Sequence, residues 1–341
     1  MSFSNTFDTT NQGSAVSNRE DLTDVLTILA PEETPVLSSA SKQKASATFV
    51  EWTVDKLSSP SITGVAEGAD VTSFTDKFSG RARLGNYIQK FRRDYMVSDL
   101  QEAVDSVGPA KVAQAESKAV RELKRDIEAR ILSNEDRSVE DGAGTNYGLR
   151  GLGKFLADGT TITGAPSDIP ADYRTPTLNN SNAGSVYTET ILNTQLSEIF
   201  RQTGESTNML LVVDTALRRK ISDFARFGPD QTSANSSSGV RNVNTDATNA
   251  TITLSVEVYQ SDHGMVSVVN MNPDTAPATV ASGATTHTDG YIINPDYVGI
   301  HELIPMGSTR LPNLGGGERG FVDCSLTLGV YHPAAHGKIV D

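Results

Sequence analysis

Residues 47–54, ATFVEWTV, and 84–97, LGNYIQKFRRDYMV, are two strand-like arms joined by a bend that reads as almost free of apolar content. The outgoing arm alternates Thr48, Val50, Trp52 and Val54 against Phe49, Glu51 and Thr53. The returning arm sets Tyr87, Phe91, Tyr95 and Val97 on one face of a period-two repeat. Ser58, Ser59, Pro60, Ser61, Gly64, Gly68 and Gly80 punctuate the bend without supplying a core. At ~3.3 Å per residue, limbs of about twenty residues could reach ~60 Å. A compact chain of this length has a radius of gyration of only ~20 Å. Such a projection cannot fold back on its own domain for most of its length, so its expected support is a neighbouring copy.

Composition narrows the class. The 341 residues suffice for two ordinary domains or one elaborated one, and 37% hydrophobic content predicts modest cores. No apolar run approaches the ~18–20 residues of a membrane span. Met1–Gly13 lacks a basic and an apolar region, so no secretory signal is expected. Cys324 is the single cysteine, which leaves no intrachain disulfide or cysteine-based zinc site and fits a reducing compartment of synthesis. With 29 basic against 42 acidic residues, the net charge of −13 argues against general affinity for nucleic acid.

Outward from the two arms, the pattern divides the chain. Residues 1–45 read as an N-terminal arm and a short helix, with Asn18 as cap and Leu22, Val25, Leu26 and Leu29 on one face. Residues 46–98 form the extended hairpin. Residues 99–185 open on a long helix over 109–133, where Val112, Ala115, Ala119, Leu123, Ile127 and Ile131 recur at helical spacing. Lys118 and Glu122, and Asp126 and Arg130, are spaced to pair on its exposed side. Residues 186–312 read as an α/β domain, with a hairpin around Ser261–Gly264 and a strand over Tyr291–Leu303. Residues 313–341 carry a closing strand with Cys324, Leu326, Leu328 and Val330 on one face.

Three constellations bear on chemistry. Gly148–Lys154 approximates a phosphate loop, but Phe155 stands where the hydroxyl that would hold Mg²⁺ is needed, and a structural turn is the better reading. His332 and His336 are four apart, with Pro333 between them and no third ligand at suitable spacing, so no metal is expected. No cofactor and no catalytic residue is assigned. The third is charge. Lys77, Arg81, Arg83, Lys90, Arg92 and Arg93 make the returning limb basic, against Glu51, Glu67, Asp70 and Asp76 on the outgoing limb and tip. With Trp52, these are the candidate inter-subunit contacts. Opposed charge on a projecting limb can set register and encounter rate with a neighbour.

The order of these parts resembles the Hong Kong 97-type major capsid proteins of tailed double-stranded DNA bacteriophages. Arg19–Asp24 and Pro31–Pro35 are similar to the N-terminal signature of one branch. Glu51–Trp52, Val65–Gly68 and Gly85–Gln89 resemble its extended loop, or E-loop. Lys124–Glu128 resembles its spine helix, Gly148–Leu152 the segment beyond, and Ser325–Leu328 with Ala335–Gly337 its closing strand. The resemblance implies an α+β Hong Kong 97-type phage capsid fold: N-arm, E-loop hairpin, peripheral domain with a long spine helix, and axial α/β domain. It implies a non-enzymatic shell subunit forming hexamers and pentamers of an icosahedral head around double-stranded DNA. The DNA would lie adjacent without being specifically bound, and no membrane would be involved. A separate scaffolding protein, a portal and decoration proteins are the implied partners. The protein would be made in the host bacterial cytoplasm and reside in the virion. No Lys–Asn–Glu trio for covalent cross-linking can be placed. Other phage structural proteins, tail-tube or decoration subunits, are the alternative; a phosphate-loop-like hydrolase is the remote one.

Overall fold

The two arms and the long helix organise the molecule, though not along the boundaries the pattern suggests. A computed structural model describes residues 33–104, 111–182, 186–205, 208–224, 242–246, 249–253, 257–275 and 290–340. The expected arm and helix over residues 1–32, and Pro109 at the start of the long helix, lie outside the described residues.

In chain order, α1 (Pro35–Ser39) and β1 (Ser41–Lys44) precede the hairpin strands β2 (Phe49–Val54) and β3 (Ala82–Tyr87). Then come β4 (Gln89–Val97), α2 (Asp99–Ala103) and the spine helix α3 (Lys111–Leu132). A loop-rich stretch holds α4 (Leu152–Phe155) and β5 (Asn180–Ser181). Next are α5 (Glu189–Thr203), β6 (Asn208–Val213), α6 (Thr215–Phe224), β7 (Asn242–Asp246), β8 (Asn249–Thr253), β9 (Val258–Ser261), β10 (Gly264–Asn270) and β11 (Gly290–Ile293). The chain closes with β12 (Val298–Leu311), β13 (Glu318–Val330) and β14 (Gly337–Ile339).

The spine helix forms because one stripe is apolar: Val112, Ala119, Leu123, Ile127 and Ile131 are all buried. Its Glu128 is buried too, and the carboxylate accepts the backbone N–H groups of Val36 (2.9 Å) and Leu37 (2.8 Å), tying α1 to the spine. Burial pushes that carboxyl up, and the two hydrogen bonds offset part of the rise. Lys118 and Glu122 pair at 3.8 Å. Asp126 and Arg130 do not pair. Asp126 holds Arg93 from β4, and Arg130 reaches back to the Leu149 carbonyl at 2.7 Å.

Two sheets carry the fold. A four-stranded sheet runs β1-β12-β13-β4, and a six-stranded sheet runs β5-β14-β11-β6-β10-β9. The spine helix covers the first, and Leu123, Ile127, Phe91, Leu326 and Leu328 belong to one core there. A second core gathers Leu192, Leu196, Ile199, Leu211, Val213, Leu217, Ile221 and Val266 between α5, α6 and the six-stranded sheet.

Three expectations are corrected. The returning arm is not one limb: residues 89–97 leave the hairpin and pair antiparallel with β13, from Glu318↔Val97 to Leu326↔Gln89. Phe91 and Tyr95 are buried there, because their face meets the spine helix and not solvent. The hairpin read as 46–98 therefore closes by Tyr87. Second, the strand expected over Tyr291–Leu303 is two strands in two sheets, broken by a 3₁₀ turn at Pro295–Tyr297. Val298–Leu311 thus leaves the 186–312 unit to join β13. Third, the closing segment divides: β13 completes the first sheet, and after a turn at Pro333–Ala335, β14 enters the second between β5 and β11. The two crossings lie side by side. Tyr331 N–H donates to the Tyr297 carbonyl at 3.0 Å, and the Tyr297 ring meets His332 edge-on at 5.6 Å.

Candidate assembly surface

The hairpin is built from a stem that belongs to the subunit and a tip that does not. The stem is the six-residue ladder from Phe49↔Tyr87 to Val54↔Ala82. On its inner face Leu84 is buried, and Trp52 packs against Phe155 (6.4 Å between centroids) and edge-on against Tyr331 (5.8 Å). Asn86 is fully buried and uses its whole amide. Its Nδ2 donates to the carbonyls of Leu328 (2.9 Å) and Arg150 (3.2 Å), and its Oδ1 accepts from the N–H of Arg150 (2.7 Å) and Tyr87 (3.0 Å). Gly85 is required beside it, since a Cβ there would sit 2.7 Å from the Phe49 ring and 3.0 Å from the Val50 carbonyl.

On the outer face, the Arg137 guanidinium lies over the rings of Phe49 (5.1 Å) and Tyr87 (5.7 Å) and donates to the Gly85 carbonyl at 2.6 Å. Asp168 pairs with Arg137 at 3.3 Å and receives two bonds from the buried Arg150, whose Nε also donates to Asp136 at 2.6 Å. Burial alone would raise the Asp168 carboxyl, but the hydrogen bonds and charge of Arg150, with the charge of Arg137, hold it below its ordinary value. Sequence reasoning missed Asn86, Arg137, Arg150, Asp136 and Asp168. The available signal was Asn86 itself, a polar amide where a half-buried strand calls for an apolar side chain.

Beyond the ladder the character changes. Residues 55–81 are exposed throughout. The reading of the bend as nearly free of apolar residues does not hold: Leu57, Ile62, Val65, Val71, Phe74 and Phe78 all stand in solvent, Leu57 at 95% and Phe74 at 90% of full exposure. Asp55 and Arg81 close the mouth of the tip at 2.8 Å, and that hydrogen bond holds the Asp55 carboxyl below its usual value. Arg81 also lies over the Phe78 ring at 4.1 Å, and the Tyr173 hydroxyl donates to the Gly80 carbonyl. Among the described residues, Lys56–Ser79 form no hydrogen bond or ion pair with the body.

The candidate contact residues fall into three groups. Glu67, Asp70, Asp76 and Lys77 are on the tip, and none makes an ion pair among the described residues. Glu51, Trp52, Arg81 and Arg83 are at the stem or its mouth; Arg83 faces Glu51 at 4.0 Å, and Trp52 faces its own subunit. Lys90, Arg92 and Arg93 are not on the hairpin. Lys90 pairs with Asp323 at 3.1 Å, Arg93 makes a two-pronged bond to Asp126 of the spine, and Arg92 lies over Phe321 at 5.9 Å.

The other constellations resolve as packing. At Gly151 and Gly153 a Cβ would approach the Ser133 carbonyl to 2.1 Å and Asn134 Oδ1 to 2.2 Å, so these glycines serve close contact with the end of the spine helix. His336 is buried and accepts the Asn294 N–H at 3.1 Å; burial pushes its ring down to about 3. No cluster of three metal-ligating side chains occurs among the described residues. Nor, among them, is any helix long and apolar enough to cross a membrane.

The model of the SU10 major capsid protein family matches residues 3–341. The chain belongs to that family. The capsid of Cyanophage A-1(L) superposes with a TM-score of 0.61 at 14% identity, covering 97% of this chain and 98% of that one. The capsid of Cyanophage P-SCSP1u gives 0.60 at 16% identity, over 96% and 93% of the two chains. The capsid of a native GTA particle gives 0.58 at 13% identity, over 98% of both. No curated protein matches at a significant level. At such identities the superpositions establish the fold, which is the Hong Kong 97 type. This SU10-family chain is a phage major capsid protein, and the tail-tube and decoration alternatives give way. A major capsid protein is a shell subunit, so its place is the virion.

Proposed function

We propose that copies of this chain close into hexamers and pentamers of an icosahedral head around double-stranded DNA, with each hairpin tip lying on an adjacent copy. One observation carries the reading: six large apolar side chains on residues 55–81 stand exposed, and among the described residues none is buried against the body of its own subunit. Exposed apolar surface of this kind marks an interaction site. Lys77, Glu67, Asp70 and Asp76 are the tip charges free to set register on the neighbour. The six-stranded α/β unit gathers around the local symmetry axes, and the spine helix with the four-stranded sheet forms the periphery. Closed symmetry lets many modest contacts sum to a stable shell.

With a net charge of −13, the subunit lies beside DNA without gripping it. A separate scaffolding protein, a portal and decoration proteins complete the head, and synthesis is in the host bacterial cytoplasm. No nucleotide hydrolysis is expected, because the glycines of residues 148–153 are spent on packing. Electron microscopy of particles formed by the full chain tests the reading. Closed shells with sixfold and fivefold capsomers are expected; stacked rings, or shells in which the tips touch nothing, would overturn it.

A further inference from the structure

The stem and the tip meet at a sharp mechanical boundary. The stem is fastened on both faces: Trp52, Leu84 and Asn86 inside, Arg137 against Phe49, Tyr87 and the Gly85 carbonyl outside. Asp168 and the buried Arg150 fix Arg137 in turn. Past Val54↔Ala82 the ladder stops. Beyond it, among the described residues, the exposed Asp55–Arg81 pair joins the two limbs to each other, and the Tyr173 hydroxyl on the Gly80 carbonyl is the one hydrogen bond from the tip to the body. An exposed ion pair holds weakly against water, whereas the buried stem network would have to open for the whole hairpin to swing.

From this we infer that the hairpin has one joint, at residues 54–55 and 81–82, and that Asp55–Arg81 with Tyr173–Gly80 is a releasable catch that presets the direction of the tip. The hairpin does not pivot at its root. Capture by another copy releases Arg81 and Tyr173 and redirects residues 56–80, while the stem keeps its angle to the spine helix. One subunit can then meet neighbours at the different inclinations of sixfold and fivefold groupings. That use rests on the shell reading above; the joint itself does not.

The test is made on soluble full-length subunits, so it does not depend on whether shells form. Paired spin labels report distances from Lys118→Cys on the spine to either Gly64→Cys on the tip or Arg83→Cys on the stem. Position 64 has open space around it, and Arg83 is exposed. Cys324 can stay, being buried with its thiol pushed up to about 12. The tip distance distribution is expected to be at least about twice as wide as the stem distribution, as local opening energies differ between the two. Arg81→Gln with Tyr173→Phe should widen the tip distribution further and leave the stem unchanged. Equal widths, joint broadening of both, or a tip distribution insensitive to the double substitution would each overturn the inference. Absence of shells with this pattern intact would count against the shell reading alone.

Discussion

Residues 55–81 and 89–97 look alike in the sequence: both are charged, both carry isolated aromatics, and both sit on what reads as one projecting loop. In the fold they are opposites. Phe91 and Tyr95 lie four apart on a strand whose every residue from Gln89 to Val97 pairs with β13, and the spine helix covers their face. Phe74 and Phe78 are also four apart, but they are embedded among turn residues, pair with no strand and remain exposed. The lesson is that spacing identifies a face, whereas burial depends on a partner elsewhere in the chain.

The sharpest way to break that comparison is to truncate one aromatic from each region. Phe91→Ala should cost the subunit about 3–5 kcal/mol in urea unfolding, the usual loss for a buried phenylalanine. Phe74→Ala should stay within about 0.5 kcal/mol of the parent, as a surface change does. Particle yield should fall with both, in the second case without loss of stability. If Phe74→Ala unfolds the subunit, the division of labour between the regions is wrong.

A smaller effect separates the stem from the tip. Asn86→Ala leaves the buried Arg150 N–H and the Leu328 carbonyl without their partner. It should lower unfolding free energy by about 1–3 kcal/mol. Hydrogen exchange should then speed up over 82–87 and stay as it was over 56–80.

The stem should also be the acid-sensitive half. Although burial opposes it, Arg150 and Arg137 hold the folded Asp168 carboxyl below its ordinary value, so its stabilisation is complete above the ordinary carboxylate range and is lost as pH falls through the folded value. The melting-temperature gap between the parent and Asp168→Asn should accordingly be full at neutral pH and close in acid. A gap that widened in acid would reverse the assignment.

The smallest expected effect distinguishes two adjacent arginines. Arg93→Glu places like charges at Asp126 and should cost about 0.5–1 kcal/mol, as for an exposed pair. Arg92→Glu loses only its position over Phe321 and should fall within about 0.5 kcal/mol of the parent. Lys77→Glu, on the tip, should leave thermal stability unchanged and alter only particle assembly.

The spine helix was legible because its signal is local: Val112, Ala119, Leu123, Ile127 and Ile131 announce one buried stripe without reference to anything else. The turn at Asp262–His263 between β9 and β10 was legible for the same reason. What escaped depends on distant partners. Nothing near Lys90 indicates that Asp323 will face it, and nothing near Asp126 indicates that Arg93 will outcompete Arg130. The exposed apolar side chains of the tip were in plain view, but the glycines, serines and proline around them drew the reading toward an inert bend. Arg150 sits in a glycine-rich segment with no period to betray that it is buried.

The side-by-side crossings at Pro295–Tyr297 and Pro333–Ala335 bear on how the subunit carries load. Both sheets are continuous with each other through covalent chain at two adjacent points, clasped by the Tyr331–Tyr297 bond and the Tyr297–His332 contact. Tension applied across the molecule therefore runs along two adjacent, oppositely directed backbones instead of prying apart a packed seam. A wall made of such bricks should crack at the mortar, between copies, before any brick splits.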